Sequence, residues 1–178
     1  MSVHLTLSDL AGTELPPLVY AHDHAPALAA PEHLAPVYGG GRKPHFGGRW
    51  TSPVTRHTPD GTPSGSAWTD FSRAEMIGDQ DYALLTEIFP VPDARVVAID
   101  DLADLRALVA AHPYAIDPLT QGVDWPAVRD AGWDAVYLTA AGKAATAYST
   151  PDLYGWDVET VLWLRPAYTT GRTVPAQN

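Results

Sequence analysis

Three short segments carry side chains whose types and spacing suit chemistry. The first is Tyr20-Ala21-His22-Asp23-His24. On an extended chain His22 and His24 project to the same side, so both can face one ligand or one metal. No third ligand stands at a convincing spacing, so a metal is not expected. The second segment runs from Arg42 to Pro53 and on to Arg56. Its bases Arg42, Lys43, Arg49 and Arg56 have no acid among them. Gly47-Gly48 lets backbone approach a ligand closely, Trp50 offers a flat face, and Thr51 and Ser52 offer hydroxyls. That mixture suits an anionic ligand with rings, such as a dinucleotide; a solvated loop around one core tryptophan is the ordinary alternative. The third segment is Trp156 to Leu164, where Asp157 and Glu159 lie among tryptophan, valine and leucine. A carboxylate in such surroundings needs hydrogen-bond partners or a cleft to face. Alternation also permits a solvent-facing edge, but Val161 and Trp163 share the face of Glu159. Glu159 is the best candidate for a catalytic acid.

These residues need elements to hold them. β-Branched and aromatic content predicts strands over 18–22, 48–52 (closed by Pro53), 95–99, 133–138 and 156–164. In the last, period-two alternation puts Trp156, Val158, Thr160, Leu162 and Leu164 on one face, and Asp157, Glu159, Val161 and Trp163 on the other. Ser66 is a candidate N-cap for a helix over 67–77, and Asp100 or Asp101 for one over 102–111. Asp124 would cap a short helix to Ala131 with Pro126 in its first turn. Prolines and glycines crowd residues 26–63 and forbid a long helix there. The sum is an α+β domain over residues 1–170, with residues 171–178 expected to form a flexible C-terminal tail.

Composition narrows the function classes. The chain has 178 residues, 46% of them apolar and 18% charged, which is one domain with material for a core. It has no cysteine, so disulfides, thiolate zinc sites and cysteine nucleophiles are excluded. The longest strictly apolar run is five residues, Ala107 to Ala111, far below the ~20 of a membrane-spanning helix. With no secretory signal pattern either, a cytoplasmic protein without a membrane partner is expected. The net charge of −10 disfavours a generic electrostatic grip on nucleic acid, though a local basic patch survives such an average. Neither the triphosphatase phosphate loop nor the Gly-x-Ser-x-Gly elbow is present.

In order, a strand-end histidine, an aromatic-Thr-Ser strand and a late glutamate resemble the ADP-ribosyltransferase superfamily. More narrowly, Lys43-Pro44 through Gly47-Gly48-Arg49-Trp50-Thr51-Ser52-Pro53, then Ser66-Ala67-Trp68 and Tyr154-Gly155-Trp156-Asp157-Val158-Glu159-Thr160, are similar to a group of small bacterial and phage proteins. The resemblance spans residues 18–165. It implies a split β-sheet core with helices packed on the sheets, and a cleft between two small sheets that binds NAD. Glu159 would then hydrogen-bond the nicotinamide ribose, Asp157 would orient the acceptor, and Thr51 and Ser52 would support the glutamate and the ribose. Trp50 would stack on a ring, His22 or its rival His24 would meet the adenosine ribose, and Arg49 and Lys43 would join the cofactor site. The activity implied is mono-ADP-ribosyl transfer from NAD to a macromolecular acceptor, protein or nucleic acid, with no metal required. The alternatives are an NAD glycohydrolase, a non-catalytic binding module on the same scaffold, and, more remotely, a metal enzyme centred on His22, Asp23 and His24.

Overall fold

The segments with the strongest apolar periodicity become the middle of one large sheet. A computed structural model describes residues 7–22, 31–75 and 83–177. In chain order they form β1 (Ser8–Ala11), β2 (Leu18–His22), β3 (Gly40–Gly41), β4 (Arg49–His57), β5 (Pro63–Ser66), α1 (Ala67–Ala74), β6 (Leu84–Pro90), β7 (Arg95–Ile99), α2 (Leu102–Ala111), β8 (Pro113–Ala115), β9 (Gln121–Asp124), α3 (Trp125–Asp130), β10 (Ala135–Leu138), α4 (Ala140–Thr146), β11 (Thr160–Trp163) and β12 (Tyr168–Pro175). Nine strands make a mixed sheet in the order β1-β7-β10-β11-β4-β2-β6-β12, with β5 attached to β4. The remaining strands form a small sheet, β3-β9-β8. Among the described strands of the large sheet only β7 and β10 run parallel. The fold is α+β, as expected.

Alternation along the strands divides the core between the two faces of the sheet. On one face Val97, Ile99, Val136, Leu138 and Leu162 pack with Leu105 and Leu108 of α2, Trp125 and Val128 of α3, and Trp156. On the other, Val96, Ala135, Tyr137, Val161 and Trp163 pack with Leu18, Ile88 and Tyr168. Capping sets the helix starts. The Ser66 hydroxyl accepts from the Thr69 amide at 3.2 Å, Asp101 from the Ala103 and Asp104 amides at 2.7 and 3.0 Å, and Asp124 from the Ala127 amide at 3.0 Å. Each satisfies donors that a helix start leaves open.

Three expectations are corrected. Pro53 does not close its strand; β4 runs on to His57. Residues 156–159 are not strand, and β11 begins only at Thr160. The Trp156 indole sinks between Trp50 and Trp125 and donates to the Arg42 carbonyl at 3.0 Å. Its backbone amide bonds to the Leu153 carbonyl at 3.0 Å in a turn rather than in a ladder. The alternation holds for the core residues, since Trp156, Leu162 and Leu164 share one core and Val161 and Trp163 the other. Asp157, however, lines the same cleft as Trp156 and Val158 while Glu159 does not, so those two acids do not share a face as expected. Finally, the expected loose tail is strand as far as Pro175, paired with β6 around an irregularity between Thr170 and Thr173. The end of the helix expected over 67–77 lies outside the described residues.

Arg172 fastens that last strand. Its backbone amide and its Nε donate to one Glu87 carboxylate oxygen at 3.1 and 3.2 Å. These bonds hold the Glu87 carboxyl below the usual range, against a smaller opposing effect of burial. A carboxylate with a lowered folded-state pKa contributes stability that is full at neutral pH and fades as pH falls through that pKa. Arg172→Met therefore lowers Tm by at most roughly 2–4 °C at neutral pH. The wild type and the variant converge in acid, and thermal melts at neutral and acidic pH check this; a difference independent of pH would contradict it.

Candidate functional site

β4 changes partners along its length. It pairs with β11 through Arg49, Trp50 and Thr51, with β2 through Ser52 and Pro53, and with β5 from Val54 to His57. On β2 the pairing with β4 is confined to Leu18 and Val19. Tyr20, Ala21 and His22 stay paired with β6 but have no ladder to β4. The sheet therefore splits between the end of β2 and the start of β4. Pro53, which cannot donate to a ladder, sits where β4 passes from one partner to the next.

A cleft of about 540 Å³ occupies the split, within the ~300–1,000 Å³ typical of small-molecule sites. Tyr20 and Ala21 line one wall, and Trp50, Thr51 and Ser52 the other. Residues 43–47, Trp68 of α1, the turn at 155–158 and Thr160 complete it. Trp50 meets Trp156 edge-on, with ring centres 4.6 Å apart. The Arg49 guanidinium lies over the Tyr20 ring, 4.7 Å from its centre, and so bridges the two halves of the split.

The hydroxyls at the floor are buried and already bonded. Thr51 Oγ1 accepts from Trp163 Nε1 at 3.1 Å and donates to the Val161 carbonyl at 3.3 Å. Ser52 Oγ accepts from the Trp68 amide at 3.3 Å. Thr160 adds a bond from its own hydroxyl to the Thr51 carbonyl at 2.7 Å. Together these tie β4, β11 and α1 into one rigid base.

Half of the sequence-expected basic island is ion-paired. Arg42 Nε donates to both oxygens of Asp152 at 2.7 and 2.9 Å, and Arg56 pairs with Asp70 at 2.8 Å. Lys43 has no ion-pair partner among the described residues. Its stem lies along Gly155, where an added Cβ would come within 3.0 Å of Nζ. Lys43 and the exposed Asp157 are thus the oppositely charged groups of the cleft wall.

Glu159 sits between two residues of the cleft wall, Val158 and Thr160, but is not itself in that wall. Its Oε1 accepts a hydrogen bond from the Tyr137 hydroxyl. Tyr137 stands directly opposite Val161 across β10 and β11, so a side chain two residues before Val161 reaches it along one face. Burial first, and then the bond to Glu159, raise the Tyr137 phenol pKa well above its ordinary value. His22 stacks on Tyr20 with ring centres 5.4 Å apart, and its Nε2 lies 3.0 Å from Thr86 Oγ1. It too is outside the wall, and His24 lies outside the described residues.

Of the residues singled out by sequence, Lys43, Trp50, Thr51, Ser52 and Asp157 meet in one cleft, while Glu159, His22 and Arg49 adjoin it. His45, Phe46, Trp68 and Trp156, which the sequence places within its motifs without a role of their own, also line the wall, and Tyr137, which the sequence does not single out, is the partner of Glu159. Nothing local in the sequence connects Tyr137 with Glu159. Comparison of the chain with protein-family models, with curated proteins and with solved structures finds no match.

The 43–47 wall depends on one close approach. Gly47 has φ +82°, and a Cβ there would fall 2.0 Å from the Pro36 carbonyl oxygen. Gly61 has nearly the same φ, +81°, with nothing within 4 Å of an added Cβ. Both alanine variants carry the left-handed strain of ~1–2 kcal/mol, but Gly47→Ala adds an overpacking cost of about 1–3 kcal/mol. Denaturant melts should rank Gly47→Ala well below Gly61→Ala; equal stabilities would contradict the close packing.

Proposed function

We propose that the cleft binds NAD and that the protein transfers ADP-ribose from it to a macromolecular acceptor, releasing nicotinamide. The observation that carries this reading is the split itself. The three motif-bearing segments map to consecutive neighbours, β11-β4-β2, and a cleft of about 540 Å³ opens where β2 leaves β4. A split β-sheet with Thr51 and Ser52 at its floor, Trp50 beside them and Glu159 immediately before the next strand fits the arrangement that the ADP-ribosyltransferase resemblance implies.

The residues have coherent roles. Cleavage of the bond between ribose C1′ and the nicotinamide nitrogen builds positive charge on the sugar. Nicotinamide leaves neutral with the bonding electron pair; the acceptor gives a lone pair to C1′ and loses its proton. A carboxylate fixed beside the ribose stabilises the charge as it develops. The Tyr137 hydroxyl occupies one Glu159 oxygen, which orients the group and leaves the second oxygen for a ribose hydroxyl. Trp50 supplies a stacking face, and Asp157 on the wall an acceptor-side carboxylate. Holding both halves of NAD on a rigid floor makes attack nearly unimolecular.

One observation favours a second reading. Because Glu159 points to Tyr137 and not into the cleft wall, a binding module without turnover also accommodates this geometry. Glu159→Gln separates the two, since it keeps an acceptor for Tyr137 while removing the charge. The expected outcome is a loss of nicotinamide release of about 100-fold or more, with the NAD-induced rise in Tm retained. Asp157→Asn should lower transfer to the acceptor more than nicotinamide release. Equal release by the wild type and Glu159→Gln removes Glu159 from its role, and a Tm shift with no release by either supports the module.

A further inference from the structure

We infer that the outer rim of the cleft is a nucleotide platform, and that the macromolecular acceptor is single-stranded nucleic acid. This rests on the transferase reading for what happens after binding, but the platform itself stands on separate observations. Tyr38 and Phe46 stack face to face, with ring centres 4.8 Å apart and planes 14° from parallel. Both are largely exposed, at 59% and 62%. His45 meets Tyr38 edge-on at 6.3 Å. Large apolar rings normally turn inward, and a stacked pair facing solvent beside a cleft marks a contact surface.

The pair is held in place before any ligand arrives. Tyr38 and Phe46 form a β-bridge, with the Tyr38 amide donating to the Phe46 carbonyl at 3.0 Å and the His45 amide to the Tyr38 carbonyl at 2.9 Å. The Arg42–Asp152 pair anchors the intervening turn to the 150s segment. Phe46 and His45 belong to the cleft wall, so the platform is continuous with the proposed NAD site.

Charge selects the occupant. Lys43, the base of this turn without an ion-pair partner among the described residues, projects along the same wall. An exposed ring pair with an adjacent cation fits a flat base and the phosphate next to it. The net charge of −10 repels a long polyanion, so the footprint is confined to a few nucleotides. A duplex hides its base faces in the stack and cannot use the platform, whereas a single strand offers them. In the transfer step a base nitrogen would give its lone pair to ribose C1′ as the C1′–nicotinamide bond breaks. Its proton would pass to Asp157 on the same wall.

Binding is testable without NAD. Fluorescence anisotropy with a labelled single-stranded DNA of roughly ten nucleotides, the RNA of the same sequence and the DNA duplex should show single strands bound and the duplex at least about tenfold weaker. Tyr38→Ala with Phe46→Ala should weaken single-strand binding by about tenfold or more. Lys43→Gln should reduce the salt slope by about 0.7, the contribution of one phosphate contact on a single strand. Circular dichroism confirms that the variants fold. No binding of either single strand, preference for duplex, or binding unchanged when both rings are removed would overturn the platform. A Tm titration of the wild type with NAD is read separately; if NAD fails to bind while single strands do, the transferase reading falls and the platform stands.

Discussion

The large sheet depends on how one strand shares its hydrogen-bonding edges. β4 satisfies its backbone against β11 at its start, against β2 in the middle and against β5 at its end. Buried backbone groups must be paired, so a strand that changes partner leaves a gap wherever the departing partner turns away. Here that gap opens where Tyr20 and Ala21 part from Trp50 and Thr51, and the cleft fills it. The side chains beneath lock the geometry. Thr51 bonds to Trp163, Thr160 to the Thr51 carbonyl, and Ser52 to the start of α1. The hydroxyls that the sequence offers to a ligand bond β4 to β11 and to α1 beneath the split.

The same economy governs charge. Two of the four bases that stand together in the sequence are consumed by carboxylates distant in sequence, Asp152 for Arg42 and Asp70 for Arg56. Arg49 lies over the Tyr20 ring, and neither it nor Lys43 has an ion-pair partner among the described residues. The cleft therefore carries one positive and one negative side chain at its margin, Lys43 and Asp157, above aromatic walls. Such a site favours a ligand with rings and few phosphates.

Much of the frame is legible in the sequence because local signals agree with the tertiary fold. Arg95 to Ile99 reads as a strand from its β-branched run, and Asp101, Ser66 and Asp124 announce their helices by capping chemistry. Other elements are invisible for physical reasons. Leu84 to Pro90 mixes leucine and glutamate, which suit helices, with a terminal proline, and it is a strand because β2 and β12 flank it. Residues 156–159 have strand periodicity but lie outside the ladder, with the Trp156 amide bonded to the Leu153 carbonyl and its ring against Trp50 and Trp125. In the site, Trp50, Thr51 and Ser52 are readable as a unit, whereas the Tyr137–Glu159 bond is set by cross-strand register, which no local spacing reveals.

The most direct measurement is a structure of the protein determined with NAD bound. The expected result has the dinucleotide in the split, a ring against Trp50, and a nicotinamide-ribose hydroxyl within hydrogen-bond distance of the Glu159 oxygen that Tyr137 leaves free. NAD bound outside the split, or seated in it with its ribose beyond reach of that carboxylate, would contradict the assignment of Glu159 and with it the proposed reaction.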